Sequence, residues 1–297
     1  MNRKLSRLLL SIWLAVPTLS LAQQGQKNGG LLWKITGNGL EKSSYLFGTM
    51  HVVCPEDLNL PQPLLEALSQ TNRTYLEIDL DNTSELMSLV TKLMMKNNIR
   101  LQDLLTPGQY DSVKAFFQRS GSQIPFGVIE RYKPFLLSGM LAQEILACGA
   151  TEGMDMEIMK ETKKAQREVF GLESAADQAA IFDSIPYPVQ ARGLVRFIDS
   201  LDVYRTSLNQ MLEAYRRGDL EKLVTFMNDS EPEMVEYSDV MLFRRNKNWV
   251  LQMPDIMKEA PTFFAVGAGH LPGEFGVLNL LKAEGFTLEP VLTGLIQ

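Results

Sequence analysis

The chain has two histidines among its 297 residues, and each ends a Gly-x-x-His tetrapeptide that directly follows a short apolar segment. The tetrapeptides occupy residues 48–51 and 267–270, after apolar residues 45–47 and 263–266. Such a run predicts a buried strand, and glycine lets the chain turn sharply at its end and approach a ligand. The fold must therefore accommodate two buried strands with matching turns 219 residues apart, which suggests two related halves.

Predicted strands occur singly along the chain and are separated by helical patterns. This alternation predicts an α/β fold with a mixed, partly parallel sheet flanked by helices. Two long helical stretches, at 84–147 and 174–257, are predicted to be large insertions. The strands are predicted at residues 31–36, 44–47, 73–79, 167–172, 262–266 and 287–292, and shorter helices at 61–70, 153–165 and 276–284.

The N-terminal segment has the features of a secretory signal peptide. Three basic residues among the first seven precede apolar residues 8–21, and a small-x-small sequence ends at Ala22. We expect residues 1–22 to be removed during export. A membrane anchor is the alternative, but the apolar run contains Pro17 and is shorter than the ~20 residues that a spanning helix needs.

Removal of a signal peptide implies an exported protein, periplasmic or secreted, with no stable membrane insertion after cleavage. Residues 23–30 are polar and glycine-rich, which predicts a flexible leader, and residues 31–297 would form the folded domain. Loss of three basic residues with the signal peptide moves the net charge from −6 to −9. This charge argues against nucleic acid and anionic membrane surfaces as partners, while the oligomeric state stays open.

The chain contains two cysteines, Cys54 and Cys148. In an oxidising compartment an even count permits one disulfide, which is the first interpretation. Two buried thiols are the second. Metal ligation by Cys54, which lies three residues after His51, is the third.

The two histidines need a carboxylate to complete the common open site for a divalent metal ion. Glu77 is the candidate, because it lies 26 residues after His51, about one strand–helix–strand excursion. His51, Glu77 and His270 would then be the metal ligands, and Gly48 and Gly267 the turn glycines. In the alternative interpretation, Glu77 belongs to a solvated strand face.

Four further residues are weaker candidates for chemistry. Asp155 could orient a ligating histidine, or it could be an acidic residue in the first turn of a helix. Glu173, at the end of the strand predicted at 167–172, resembles Glu77 in placement, or it caps the next helix. Arg245, with Asn246, could bind a substrate carboxylate or a developing oxyanion, although a charged helix face explains Arg245 equally well.

Several short blocks of the chain, taken in order, resemble the TraB/GumN family, which belongs with the Tiki-type metalloproteases. The resemblance covers about residues 31 to 292. The blocks are Leu46-Phe47-Gly48-Thr49-Met50-His51, Tyr75-Leu76-Glu77, Gly153-Met154-Asp155, Phe170-Gly171-Leu172-Glu173 with Gln178, Arg245-Asn246, and Ala265-Val266-Gly267-Ala268-Gly269-His270-Leu271.

The resemblance implies a Tiki-like α/β fold with paired mixed sheets in two related halves, flanked by helices. It also implies a divalent metal site built from His51, His270 and Glu77. Tiki members are metal-dependent peptidases for which manganese or cobalt is implicated, whereas most bacterial relatives have no assigned substrate.

Residues and resemblance together predict a secreted metal-dependent hydrolase of the peptidase class, acting on a peptide or protein substrate. The metal would be Mn, Co or Zn and would acidify a bound water molecule. Glu77 or Asp155 could serve as the base, and Arg245, with Asn246 and Glu173, would contact the substrate. The alternative is a non-catalytic protein that binds metal or haem, and a purely structural relative is a third possibility.

Overall fold

We analysed a computed structural model of the chain, which describes residues 30–84, 87, 92–120, 124–146, 148, 152–230, 232–292 and 294–295. The predicted signal peptide at 1–22 lies outside the described residues, as does the predicted leader at 23–30 except for its last residue. Most of the first turns of the helix predicted to begin at Ser84 also lie outside them.

The strands form one six-stranded mixed sheet in the order β4-β3-β5-β2-β1-β6. Strands β2 to β5 run parallel to one another, and β1 is antiparallel to both of its neighbours. The predicted mixed α/β class is therefore confirmed, but one sheet takes the place of the expected paired sheets. The strands are β1 (Leu32–Gly37), β2 (Ser44–Thr49), β3 (Arg73–Leu76), β4 (Glu168–Gly171), β5 (Thr262–Gly267) and β6 (Phe286–Leu292).

The two strands that precede the histidine turns, β2 and β5, are parallel neighbours in register from Tyr45 with Phe263 to Thr49 with Gly267. Both are almost fully buried. Because their carboxyl ends meet at one edge of the sheet, the two Gly-x-x-His turns lie side by side rather than in separate halves.

The helices surround this sheet and fill the long stretches between its strands. They are α1 (Gln62–Ser69), α2 (Leu101–Leu104), α3 (Pro107–Arg119), α4 (Phe126–Ile129), α5 (Pro134–Ile145), α6 (Met154–Lys164), α7 (Ala175–Ile181), α8 (Tyr187–Asp199), α9 (Leu201–Arg216), α10 (Leu220–Ser230), α11 (Arg244–Glu259) and α12 (Val277–Ala283). A π-helical turn, Asp239–Phe243, runs directly into α11. None of the helices in the described ranges is long and apolar enough to cross a bilayer.

Local sequence explains where several helices begin. Thr106 caps α3, because its hydroxyl accepts a hydrogen bond from the Gln109 N–H and Pro107 follows at the first helical position. Ser174 caps α7 in the same way, by accepting from the Asp177 N–H. The cap at Ser174 agrees with the predicted start of the helical stretch at 174–257.

The buried apolar residues form two clusters. The larger one encloses the sheet and includes Phe47, Phe263 and Trp249. The smaller one lies among α2 to α5, α8 and α9 and includes Leu137 and Leu194. The two helical stretches therefore share a core of their own beside the sheet.

A disulfide joins Cys54 to Cys148, with 5.6 Å between their Cα atoms. This confirms the first of the three interpretations of the cysteines. The bond ties the segment after β2, which carries His51, to the segment that leads into α6. A backbone hydrogen bond from Met154 N to Met50 O, 3.1 Å long, joins the same two segments.

Candidate active site

His51 lies two residues beyond the end of β2 and pairs with a buried carboxylate. Its Nδ1 is 2.7 Å from Asp155 Oδ2, and the Thr49 hydroxyl donates to Asp155 Oδ1 over 2.6 Å. Asp155 stands in the first turn of α6. The charge of Asp155 raises the pKa of His51 to about 9. With Nδ1 engaged and 67% of its side chain exposed, His51 has Nε2 free to bind a metal ion, which would displace the proton that this pKa keeps on the ring at neutral pH.

Glu77 directly follows β3 and is 6% exposed. Its Oε1 accepts from the Gly267 N–H over 2.7 Å, and its Oε2 accepts from Arg245 Nη2 over 2.6 Å and Gln178 Nε2 over 2.9 Å. Burial opposes the charged carboxylate, but His270, Arg245 and His51 favour it, and the pKa of Glu77 falls to about 2. The carboxylate is therefore ionised at neutral pH.

His270 ends the turn after β5 and is 5% exposed. Its Nδ1 is 2.6 Å from Asn246 Oδ1, while Asn246 Nδ2 donates to the Phe275 carbonyl over 2.8 Å. Because an amide oxygen only accepts, Nδ1 carries the proton and the lone pair is on Nε2. Burial lowers the pKa of His270 to about 3, so the ring is neutral.

Arg245 is the cation at the centre of the site. Its Nη2 lies 2.6 Å from Glu77 Oε2 and 2.6 Å from Glu173 Oε1, and its Nη1 lies 3.0 Å from His270 Nε2. Its guanidinium carbon is 4.8 Å from the centre of the Trp249 ring. Two carboxylates and an aromatic face therefore hold one buried charge in place.

Two predicted turn glycines are required by close packing, and neither has a positive φ. A Cβ atom on Gly48 would lie 2.8 Å from Leu271 Cδ1 and 3.1 Å from Ala268 Cα. A Cβ atom on Gly267 would lie 3.1 Å from Glu77 Oε1. These glycines allow the two turns and the carboxylate to approach one another closely.

His51, Glu77, Arg245 and His270 line one cavity of about 450 Å³. The other three candidates lie behind this lining and are Asp155, Asn246 and Glu173. The structure thus brings all seven candidates to one cavity, which four of them face. Their hydrogen bonds form two networks, His51 with Asp155, and Arg245 with Glu77, Glu173, His270 and Asn246.

His270 Nε2 and Glu77 Oε1 lie 3.8 Å apart. The ligand atom of His51 lies more than 4.8 Å from at least one of these two residues, because the three do not form a group within that distance. In the part of the chain that the structure describes, one trio of His, Cys, Asp or Glu residues has ligand atoms all within 4.8 Å, and it is Cys54, Glu56 and Asp57. That trio is already engaged, since Cys54 is in the disulfide and Arg216 binds both carboxylates.

The donor chemistry of His51, Glu77 and His270 nevertheless fits a divalent cation. It comprises one neutral imidazole with a defined tautomer, one ionised carboxylate, and one imidazole oriented by a carboxylate. The guanidinium of Arg245 lies against two of these three groups.

Three residues that contact these candidates were not among the predicted site residues. Thr49 holds Asp155, Gln178 holds Glu77, and the Trp249 ring lies 4.5 Å from the His270 ring. Trp249 stands four positions after Arg245 on α11, a spacing that places both on one helix face. Gln178 occurred in the family-like blocks, but its sequence context alone gives no reason to choose it.

The family profile described as TraB/PrgY/gumN family matches residues 31–290. Metalloprotease TIKI2 of Danio rerio is 21% identical over 87% of this chain and 60% of its own length. Metalloprotease TIKI1 of Homo sapiens is 22% identical over 92% of this chain and 64% of its own length. The chain thus spans about three fifths of the length of these relatives.

A bacterial relative, the uncharacterized protein YbaP of Shigella flexneri, is 22% identical over 81% of this chain and 88% of its own length. No solved structure matches the chain significantly.

Proposed function

The chain belongs to the TraB/PrgY/gumN family, and from that premise we propose that it is a metal-dependent hydrolase that cleaves peptide bonds. The observation that carries the proposal is the meeting of both histidine turns with an ionised Glu77 at the carboxyl ends of neighbouring parallel strands. Relatives named metalloproteases support the same class of reaction.

In this proposal His51, Glu77 and His270 hold the cation, which is Mn, Co or Zn. When bound, a divalent cation lowers the pKa of a water molecule and polarises the carbonyl under attack. The Asn246 side chain keeps the proton of His270 on Nδ1 and so keeps Nε2 a lone-pair donor. Asp155 binds Nδ1 of His51 in the same way and leaves Nε2 of that ring to bind the cation.

Arg245 is the proposed contact for the substrate. Glu173 binds both its Nε and its Nη2, so this carboxylate can hold the guanidinium while Nη1 turns to a carbonyl oxygen or a terminal carboxylate. Glu173 and Asn246 then act through their neighbours as positioning residues, since their own polar atoms are engaged within the protein.

Glu77 and Asp155 are the two carboxylates considered as the base. The contacts of Asp155 favour a positioning role for it instead. Both of its oxygens are engaged, one by Thr49 and the other by His51. Glu77 also accepts three hydrogen bonds, and its low pKa suits a metal ligand better than a proton acceptor.

We also propose that the chain works after export, in an oxidising compartment. Its disulfide supports this location, because such bonds persist in the periplasm and outside the cell and are rare in the cytosol.

Metal analysis of the purified protein tests the proposal. We expect about one divalent ion per wild-type chain after incubation with Mn²⁺, Co²⁺ or Zn²⁺ and removal of the excess. His51→Ala and His270→Ala should lose the ion while keeping a wild-type circular dichroism spectrum. The matched control Gln210→Ala, on α9 away from these turns, should retain it.

Cleavage of a mixed peptide library, read by mass spectrometry, tests the reaction itself. Wild type with bound metal should generate new termini, and the two histidine variants should not. A wild-type protein that binds no metal would contradict the proposal. An absorption band on addition of haem, without peptide cleavage, would favour the alternative of a ligand-binding protein.

A further inference from the structure

A second cavity adjoins the candidate active site. Its volume is about 270 Å³, and it lies among α5, α8, α9, α10 and the segment from 232 to 242. The two cavities share a wall, because five residues line both of them. These residues are Phe135, Met211, Met227, Met241 and Leu242.

The shared wall touches the site at two points. Met227 packs against the backbone of the second histidine turn so closely that a Cβ atom on Gly269 would lie 3.0 Å from its Cε. The Met241 carbonyl accepts a hydrogen bond from Arg245 Nη1 over 3.0 Å. The wall of the second cavity therefore contacts Gly269, the residue before His270, and also Arg245.

The lining of the second cavity is predominantly apolar, with four methionines, Met211, Met227, Met234 and Met241. Methionine side chains are flexible and polarizable, so such a wall adapts to apolar groups of different shapes. Among the described residues, one buried hydroxyl of this lining, Ser230 Oγ, has no hydrogen-bond partner. A charged group placed here would lose its hydration without gaining a counter-ion.

We propose that this cavity receives one large apolar side chain of the peptide substrate, next to the bond that is cleaved. The proposal rests on the proposed peptidase function and adds a substrate class to it. An apolar cavity of about 150 Å³ holds one benzene molecule, so 270 Å³ has room for a leucine, methionine or phenylalanine side chain.

Two positions on α5 allow the cavity to be filled. Gly139 and Ala142 both line it, and a Cβ atom on Gly139 would meet no atom within 4 Å. Gly139→Phe and Ala142→Phe should each place an aromatic ring in the cavity, and phenylalanine is compatible with a helix. The matched control is Gly127→Phe on α4. A Cβ atom on Gly127 also meets open space, and Gly127 lines neither of the two cavities.

The first experiment measures kcat/KM for peptides that differ at one residue flanking the scissile bond. We expect wild type and Gly127→Phe to cleave the leucine peptide about 30-fold faster than the alanine peptide, because the leucine side chain is buried. In Gly139→Phe and Ala142→Phe this preference should fall below about threefold, with the alanine peptide cleaved as by wild type. No preference in wild type, or an unchanged preference in both filled variants, would overturn the inference and leave the peptidase proposal standing.

The second experiment does not depend on catalysis. Metal-free protein is titrated with the neutral one-ring dye 4-(dimethylamino)benzonitrile, whose fluorescence depends on the polarity of its surroundings. Wild type and Gly127→Phe should bind one dye molecule per chain, and both filled variants should bind it at least 10-fold more weakly.

If no peptide is cleaved with any metal, the peptidase proposal fails, and the dye titration then decides whether the cavity binds apolar groups. Equal dye binding by all four proteins would show that it does not.

Discussion

Replacing Asn246 with alanine tests how His270 is prepared to bind a metal ion. The Asn246 amide oxygen holds the Nδ1 proton of His270 over 2.6 Å in a place that water hardly reaches, since the imidazole is 5% exposed and Asn246 1%. Without that acceptor the ring is free to exchange tautomers and to rotate. Loss of such a partner typically costs 10- to 100-fold in metal affinity, equivalent to about 1.4–2.7 kcal/mol.

The same change should also reduce stability. The Nδ1–H of His270 and the Phe275 carbonyl would both lose a buried partner. Each unsatisfied group costs about 1–3 kcal/mol, so we expect the free energy of unfolding of the metal-free protein to fall by at least 1 kcal/mol.

Metal affinity is measured by competition with a chromophoric chelator, and stability by urea denaturation. Asn248→Ala is the matched control, because Asn248 lies two residues further along α11 and is exposed. Asn246→Asp should retain more metal affinity than Asn246→Ala, since a carboxylate still accepts the Nδ1 proton. Equal metal affinities in the two alanine variants would refute the reasoning.

Three other predictions follow from the contacts. Replacing both cysteines with alanine opens a loop of sequence separation 94 and should lower the free energy of unfolding by up to about 4 kcal/mol, as measured in urea, and weaken metal binding through His51. Burial opposes the charge of Asp183, but Tyr187, Lys96 and Lys133 outweigh it and lower its pKa. The ionised carboxylate should therefore stabilise the fold above about pH 4, and this stabilisation should be lost as the pH falls further. In denaturation measured as a function of pH, Asp183→Asn should lose less stability on acidification than wild type. Arg245→Gln should lower kcat/KM for peptides at least 100-fold, whereas Arg244→Gln, which alters an exposed side chain, should change it less than twofold.

The sequence predicted the two strands that precede the histidine turns and a shared site for both histidines. The apolar segments before them became β2 and β5, and both turns end at one sheet edge. The sequence separation of 219 between the two histidines suggested two halves, but pairing between strands so distant in sequence depends on the whole topology. The helical insertions return the chain to the same sheet.

Glu77 was chosen because it lies in the strand predicted at 73–79, about one strand–helix–strand excursion after His51. In the structure that strand, β3, ends at Leu76, directly before Glu77, and is the parallel neighbour of β5. Its partners were less accessible to sequence reasoning. Arg245 is 168 residues away from it, and nothing local to either residue indicates that they meet. Asn246 and Glu173 were expected to contact substrate, whereas their neighbours in space suggest that they position His270 and Arg245.

The apolar cavity beside the site was not predictable from the sequence. Its four methionines all lie in the helical stretch predicted at 174–257, and a helical pattern does not distinguish a side chain that lines a cavity from one that fills the core. Only the packing of α5, α9 and α10 shows that part of this apolar lining surrounds a space.

Nuclear magnetic resonance of the imidazole groups tests the central claim most directly, because His51 and His270 are the two histidines of the chain. In protein labelled with ¹⁵N at histidine, one equivalent of Zn²⁺ should shift the Nε2 signals of both rings together, with the Nδ1 proton of His270 retained. Asp155→Asn and Asn246→Ala should each broaden or displace one of the two responses. A titration in which only one imidazole responds, or neither, would contradict the shared metal site.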